Sequence, residues 1–147
     1  MKTSHQYTTF YLGDTYLGID VLQVREVLTR QQMTPVPRAP SSVLGLINLR
    51  GQIVTAVDLR TRMGLPADPD SGSSMNVVIR TGEGPVSLLV DAVGDVITVS
   101  DGSMEPTPDN IGSTVYRYIS AVHKLDGRLL AILDVERLFP DDKPAGN

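Results

Sequence analysis

The chain has 147 residues, 41% of them hydrophobic and 20% charged, which is typical of a globular protein with one domain or two small units sharing a core. Its 17 acidic residues exceed its 13 lysines and arginines, and the net charge of −4 argues against binding to nucleic acid, which requires a concentrated basic surface. The absence of cysteine excludes disulfides, thiolate metal sites and cysteine nucleophiles.

Short bursts of apolar residues, many of them β-branched, recur along the chain and predict β-strands. Glycine, aspartate or proline separates the bursts, as in antiparallel hairpins. The predicted strands are Tyr7–Leu12, Tyr16–Ile19, Val43–Leu49, Ile53–Val57, Val77–Ile79, Val86–Val90, Val96–Val99, Ile119–Leu125 and Leu129–Leu133. The sequence therefore predicts a mainly β fold of short strands curled into barrels.

Few segments leave room for a helix. Val21–Thr29 is predicted to be one, because its valines and Leu28 recur at helical spacing. Leu59–Met63 and Val135–Phe139 are predicted as single helical turns directly after strands.

An internal repeat links the two halves of the chain. Gly51–Asp58 and Gly127–Asp134 are apolar strands between a glycine and an aspartate, each followed by an aliphatic residue and an arginine. Gly13–Asp20 and Gly84–Asp91 form a second pair of the same kind. The repeat predicts a duplication that gives two β subdomains, which share an apolar interface because small barrels bury little core alone.

Four segments without an apolar pattern are predicted to be loops or flexible ends. They are residues 1–6, Pro66–Ser74, Glu105–Thr114 and residues 140–147. No apolar run is long enough to span a bilayer, and the N-terminus lacks the apolar core of a signal peptide, so we expect a cytoplasmic protein without membrane insertion.

Signatures of catalysis are scarce. The two histidines have no partner at metal-ligand spacing; His5 falls in the flexible N-terminus, and His123 is predicted to face solvent from the middle of a strand. Neither a phosphate-binding glycine loop nor a serine nucleophile elbow is present, so no metal or cofactor is expected. An enzyme would require carboxylates gathered in one pocket, and a small-ligand sensor would require a large apolar cavity inside a barrel.

Four aspartates end strands, at Asp20, Asp58, Asp91 and Asp134. A strand-ending aspartate readily accepts hydrogen bonds from the backbone of the following turn. Because these residues recur with the hairpins, we predict a structural role for all four.

Two charged residues are candidates for binding a protein partner. Arg50 stands at a hairpin tip before Gly51, and Glu26 lies between apolar neighbours. Arginine is favoured in protein interfaces and in bidentate pairs with carboxylates. Spacing alone favours a different interpretation, in which Arg50 is a solvated charge at a hairpin tip and Glu26 lies on a solvated helix face.

Eight segments together carry a resemblance to a known family. They are Phe10–Gly13, Tyr16–Asp20, Val24–Val27, Thr34–Pro37, Gly45–Gly51, Val57–Arg60, Leu89–Val93 and Ile132–Asp134. The sequence resembles the CheW family of chemotaxis coupling proteins over residues 7–139. The block Asn48–Gly51 with Val57–Arg60 is its most specific part.

The resemblance implies a single domain built of two intertwined, SH3-like, five-stranded β-barrel subdomains with a shared core and a few short helices. It also implies a non-enzymatic adaptor without a cofactor. Family members join the helical tips of chemoreceptors to the C-terminal regulatory domain of the CheA histidine kinase, in arrays that also place other CheW-like chains within reach. An adaptor of the same fold in another chemosensory pathway, such as pilus-based surface motility, is the alternative.

Carried over position by position, the resemblance implies receptor contact for Val24 and Glu26. It implies that Arg50 pairs with Glu26 at the same groove between the subdomains, and that Gly45 is sensitive for receptor coupling. Ser87 is included at this site, although many members carry glycine at its position. The kinase-binding residues are not assigned.

Overall fold

The computed structural model describes residues 4–66, 74–105, 115 and 117–139, and more than half of these residues lie in β-strands. The strands are β1 (Ser4–Leu12), β2 (Thr15–Asp20), β3 (Val24–Thr29), β4 (Val43–Leu49), β5 (Gln52–Asp58), β6 (Met75–Thr81), β7 (Gly84–Val90), β8 (Ala92–Ser100), β9 (Met104–Glu105), β10 (Ile119–Leu125) and β11 (Arg128–Leu133). The short helices are α1 (Leu59–Arg62), α2 (Val135–Leu138) and the 3₁₀ turns Val21–Gln23 and Asp101–Ser103. None of the helices in these ranges has the length and apolarity required to cross a bilayer.

The strands form two sheets, which confirms the predicted mainly β fold. Sheet A has six strands in the order β8-β1-β2-β11-β10-β9, and sheet B has five in the order β3-β6-β7-β5-β4. The sixth strand of sheet A is the two-residue β9, which the expectation of five strands per subdomain did not include.

The two halves of the chain exchange hairpins. The β1–β2 hairpin of the first half pairs through β2 with β11 of the second half, and the β6–β7 hairpin of the second half pairs through β7 with β5 of the first. Both of these pairings are parallel, whereas the other ladders between the described strands are antiparallel. Each sheet therefore contains strands from both halves.

In each sheet, the chain that leaves one edge strand bends round and pairs with a strand at the opposite edge. In sheet B, the chain leaves β3 and Thr34 then pairs with Leu46 of β4, with N–O distances of 2.9 and 2.8 Å. In sheet A, β8 continues through a 3₁₀ turn into β9, where Met104 pairs with His123 of β10. The sheets are thus curled, although a continuous ladder does not close either of them within the described residues.

The largest apolar cluster lies between the sheets and confirms the predicted shared core. Both sheets contribute fully buried side chains, among them Phe10 and Leu17 from sheet A and Val77 and Leu88 from sheet B. The helices add aliphatic side chains to the same cluster, as Leu59 does from α1. Smaller clusters fill the inside of each curled sheet.

The prediction of a helix over Val21–Thr29 is wrong. Only Val21–Gln23 is helical, as a 3₁₀ turn whose Leu22 N–H donates to the Asp20 carboxylate at 2.9 Å. From Val24 the chain is strand β3, whose β-branched residues pair with β6. Tertiary pairing outweighs the helical spacing because β-branched side chains favour extended backbone. The predicted turns after β5 and β11 are confirmed as α1 and α2.

The predicted flexible N-terminus is too long. Ser4–Gln6 belong to β1, where Ser4 pairs with Ser100 of β8, and His5 Nε2 lies 2.9 Å from a carboxylate oxygen of Asp101. The predictions for residues 1–3, 67–73, 106–114 and 140–147 lie outside the described residues.

The prediction that His123 faces solvent is also wrong, because the side chain is fully buried. Both faces of β10 are covered: Val122 packs in the shared core, and the imidazole of His123 lies beside the Tyr7 ring inside sheet A, 5.8 Å between centroids. Nδ1 is 2.8 Å from Ser103 Oγ, whereas Nε2 has no hydrogen-bond partner within the described part of the chain. Burial lowers the pKa of His123, nearby His5 lowers it further, and Asp101 opposes both effects.

This burial predicts that stability falls in mild acid. The unfolded chain binds a proton at His123 near pH 6.5, whereas the folded chain resists it, so the free energy of unfolding decreases as the pH falls below about 6.5 and levels off once the folded His123 is also protonated. Ile47 occupies the corresponding position in sheet B, so His123→Ile should remove this dependence. Urea denaturation between about pH 5 and 7.5 measures it.

The control is His5→Gln, which removes the other histidine and should retain most of the pH dependence. A pH dependence that is unchanged in His123→Ile would contradict the assignment.

Candidate functional site

An ion pair joins the two edges of sheet B. Arg50 Nη2 lies 2.5 Å from Glu26 Oε2, although Glu26 is on edge strand β3 and Arg50 is at the tip of the β4–β5 hairpin on the opposite edge. The two-residue turn Arg50–Gly51 has positive φ at both positions, 52° and 88°, as the tight hairpin turn requires. The turn directs the Arg50 side chain across the open end of the curled sheet.

A second contact runs beside the first. Arg25 Nη1 donates to Gln52 Oε1 at 2.5 Å, and Arg25 Nε lies 3.7 Å from the Glu26 carboxylate. One carboxylate therefore faces two guanidinium groups. We call these four residues, Arg25, Glu26, Arg50 and Gln52, the rim of sheet B. The Arg50 side chain is 65% exposed and that of Glu26 is 21% exposed, so the rim presents net positive charge to solvent.

Apolar side chains accompany the rim. Val24, two residues before Glu26, is half-buried against the shared core. Ile53 follows Gln52 directly and is 59% exposed, and Leu22 is 80% exposed in the turn that leads into β3. Leu22 also lines a cavity of about 440 Å³ together with His5 and Thr98 of sheet A. A groove thus runs where the edge of sheet A meets the start of β3.

Gly45 acts through the backbone rather than through surface contact. A Cβ at this position would lie 2.5 Å from the Thr34 carbonyl oxygen and 2.9 Å from the Thr34 carbonyl carbon. This close approach permits the pairing of Thr34 with Leu46 that joins the two edges of sheet B. Gly45 therefore allows sheet B to curl, and this curl brings the residues of the rim together.

Ser87 is fully buried and has no surface to offer a partner. Its hydroxyl accepts a hydrogen bond from Asn76 Nδ2 at 2.8 Å, and Asn76 Oδ1 accepts one from Gln31 N at 2.9 Å. The serine therefore supports the chain that leaves β3 toward Thr34. The structure brings Glu26 and Arg50 together with Val24 nearby, and it places Gly45 and Ser87 beneath them as supports.

Three of the four strand-ending aspartates cap the turn that follows, as predicted. Asp20 accepts from Leu22 N, Asp58 from Arg60 N at 3.2 Å, and Asp134 from Glu136 N at 3.0 Å.

Asp91 makes different contacts. Its carboxylate accepts from Gly13 N at 2.6 Å and from the Arg60 guanidinium, so it joins the β1–β2 turn of sheet A to α1. The hydrogen bonds from Arg60 lower the pKa of Asp91, and the one from Gly13 adds to this effect. Across the described ranges, acidic and histidine side chains form no group of three that could hold a metal ion.

Sequence reasoning missed Arg25 and Gln52. A β-bulge shifts the register of β3 between Val24 and Glu26, which leaves Arg25 as the extra residue and turns it toward the hairpin tip. The adjacent charges Arg25 and Glu26 were visible in the sequence, but the bulge that directs both toward the rim has no sequence signal.

Comparison with known proteins gives consistent matches over almost the whole chain. The family model described as a CheW-like domain matches residues 6–143. A chemotaxis protein CheW of Rhizobium meliloti (strain 1021) is 34% identical over 134 residues, which cover 91% of this chain and 86% of the relative. The crystal structure of the scaffolding protein TtCheW from Thermoanaerobacter tengcongensis superposes with a TM-score of 0.83 at 28% identity and covers 95% of both chains.

A more limited match is to protein FrzA of Myxococcus xanthus. It is 34% identical over 58 residues, which cover 40% of this chain and 36% of FrzA. The resemblance stated from the sequence motifs is confirmed by the matches that span the chain.

Replacing Gly45 with alanine should destabilise the protein. The new Cβ pushes the Thr34 carbonyl away from β4, and overpacking of this kind costs about 1–3 kcal/mol. Urea denaturation measures the loss, and hydrogen exchange at the Leu46 amide, which donates to Thr34, should accelerate. Gly102→Ala is the matched control, because its nearest atom, Ser100 Oγ, is 3.6 Å away. Equal stability of the two variants would disprove this role.

Replacing Ser87 with alanine should also lower stability. The change leaves the buried Asn76 Nδ2 without its acceptor, which costs about 1–3 kcal/mol. Ser120→Ala removes a hydroxyl of an exposed β10 residue that makes only a long hydrogen bond, 3.4 Å, to the Ile132 carbonyl, and should change the free energy of unfolding by about 0.5 kcal/mol or less. A Ser87 variant as stable as the Ser120 control would show that the hydrogen bond contributes nothing.

Proposed function

This chain belongs to the CheW-like domain family of chemotaxis scaffolding proteins, which are not enzymes, and we propose that it couples the cytoplasmic tips of chemoreceptors to a CheA-type histidine kinase. In this proposal it resides in the cytoplasm, is recruited to membrane-associated receptor arrays and acts there by binding alone.

The Glu26–Arg50 pair is the observation that carries the proposal. An ion pair whose arginine is 65% exposed contributes little to stability, because solvent screens the attraction. The pair instead fixes the shape of the open end of sheet B while its guanidinium keeps N–H groups directed at solvent. These are properties of a binding surface.

The apolar neighbours suit a helical partner. A receptor tip is a helical hairpin, and an amphipathic helix docks by placing its apolar face in a groove. Leu22 and half-buried Val24 provide apolar surface, and the cavity beside Leu22 provides a depression. We assign receptor contact to Val24, Glu26 and Arg50, and to Gly45 an indirect role through the backbone. Ser87 is left out of the contact surface because it is buried.

The scaffold transmits receptor state by differential contact. A ligand that binds two states of its partner equally shifts neither of them. Because the shared core and the hairpin exchange make the two sheets one packed unit, we expect a bridge of fixed shape that binds one state of the receptor or kinase more tightly. The kinase regulatory domain and other CheW-like chains would bind surfaces other than the receptor-binding rim.

An adaptor of the same fold in another chemosensory pathway would use the same surface with different partners. A pull-down from the native cytosol separates the two functions, because the kinase and receptor that accompany the chain identify the pathway. Recovery of neither a receptor nor a histidine kinase would refute both.

Charge reversal at the rim should weaken receptor binding. Arg50→Glu places two carboxylates together, and Glu26→Arg places three guanidinium groups together, so each should reduce co-sedimentation with receptor arrays by about tenfold or more. The double variant Glu26→Arg with Arg50→Glu restores the pair and should recover part of the binding. The measurement is the amount of protein and kinase sedimenting with receptor-containing membranes.

Lys124→Glu is the control, since it reverses an exposed charge on β10 of sheet A. Undiminished co-sedimentation of Arg50→Glu, with the fold verified by circular dichroism, would rule out this surface as the receptor site.

A further inference from the structure

A second concavity adjoins the rim on the side of β6 and β7. It has a volume of about 390 Å³ and is lined by Arg25, Arg80, Thr81, Gly84 and Pro85. It is separate from the cavity beside Leu22, with which it shares none of its lining residues. Arg25 belongs to both this concavity and the rim.

Two guanidinium groups face this space. Arg25 uses Nη1 for Gln52, and Arg80 uses Nη1 for the carbonyl oxygens of Leu22 and Val24, both at 3.2 Å. Within the described residues, Nη2 of each arginine makes no hydrogen bond. Each arginine is therefore held in place on one side and keeps donors for a ligand on the other.

Among the described residues, no acidic side chain lines the concavity. Glu26 lies closest to Arg25, but its carboxylate already pairs with Arg50 at 2.5 Å. Glu83, in the turn between β6 and β7, is not part of the lining. A chain of net charge −4 thus places two arginines at one concavity, and Arg25 connects this concavity to the Glu26–Arg50 pair.

The other described lining residues, Thr81, Gly84 and Pro85, offer no free side-chain donor to a ligand, so the arginines are the donors. The Thr81 hydroxyl donates to the Gly84 carbonyl at 2.7 Å and accepts from Glu83 N at 3.1 Å, so it is already engaged. Pro85 has no N–H. A Cβ at Gly84 would meet no atom within 4 Å, so the space beside this residue is open.

We propose that this concavity is a carboxylate subsite that receives a glutamate or aspartate side chain of the receptor tip docked on the rim. Two guanidinium groups that converge on one space match the planar, bidentate geometry of a carboxylate. A docked helix carries its acidic side chains beside its apolar face, which places one of them within reach while the apolar face meets Leu22 and Val24. The inference rests on the proposed function and adds the chemistry that the partner must present.

The test measures the affinity of this chain for a soluble cytoplasmic fragment of a chemoreceptor from the same organism. The measurement is repeated at several salt concentrations. The double variant Arg25→Gln with Arg80→Gln should bind about tenfold more weakly than the unaltered protein at low salt. Its affinity should also depend less on ionic strength, because fewer charge-assisted contacts remain to be screened. The single variant Arg25→Gln leaves the Arg80 contacts with the β3 turn intact and should show part of both effects.

The matched control is Lys124→Gln, which removes one positive charge from sheet A and should change neither quantity. Acidic residues of the receptor fragment are replaced one at a time by lysine, and at least one of these changes should weaken binding. For that position, Arg80→Glu in this chain should restore part of the lost affinity. Such a rescue is not expected from a role of Arg80 in folding alone.

Two outcomes separate this inference from the proposed function. If Arg50→Glu abolishes binding while the Arg25 and Arg80 variants bind with unchanged affinity and salt dependence, the subsite is wrong and the receptor site stands. If the unaltered protein does not bind the receptor fragment, both are overturned.

Discussion

The parallel pairing of β2 with β11 and of β5 with β7 is the constraint on which the rest of the structure depends. Each pairing joins a hairpin from one half of the chain to a hairpin from the other, so neither sheet is complete without both halves. The shared core lies between the sheets, and two arginines of α1 reinforce the connection. Arg60 binds Asp91 beside the β1–β2 turn, and Arg62 donates to the carbonyl of Leu138 at the end of α2. The rim of sheet B therefore rests on a single packed unit to which both halves of the chain contribute.

The rim depends on the same architecture at a smaller scale. Glu26 and Arg50 meet only because sheet B curls until its edge strands approach each other. Gly45 permits that curl by letting the Thr34 carbonyl approach β4 closely, and Ser87 supports it from below through Asn76. Glu26 and Arg50 reach solvent at the rim. Gly45 and Ser87 are buried and maintain the backbone that brings the other two together.

The sequence was a sufficient guide where local physics decides the outcome. Apolar bursts located nine of the eleven described strands, all but β3 and β9, and the aspartates at positions 20, 58 and 134 cap the turns that follow them. Tertiary context decided the failures: β3 pairs with β6 despite its helical spacing, and β10 is covered on both faces, which buries His123. The repeat was visible in the sequence, but the exchange of hairpins was not. Sequence context marked Glu26 and Arg50 as candidates and the family resemblance paired them, whereas Arg25 depends on a bulge without a local signature.

The exchange of hairpins also has a consequence for how the protein is made. While the chain emerges from the ribosome, the β1–β2 hairpin lacks the strands on either side of it until β8 and β11 have been synthesised. Strand β3 likewise has no partner until β6 has been synthesised. The first half of the chain is therefore an incomplete intermediate with unpaired strand edges, and contacts of long sequence separation slow folding. Two nascent chains on one messenger can satisfy those edges with each other's hairpins, so dimers formed by swapping are the characteristic misfolding hazard of this topology.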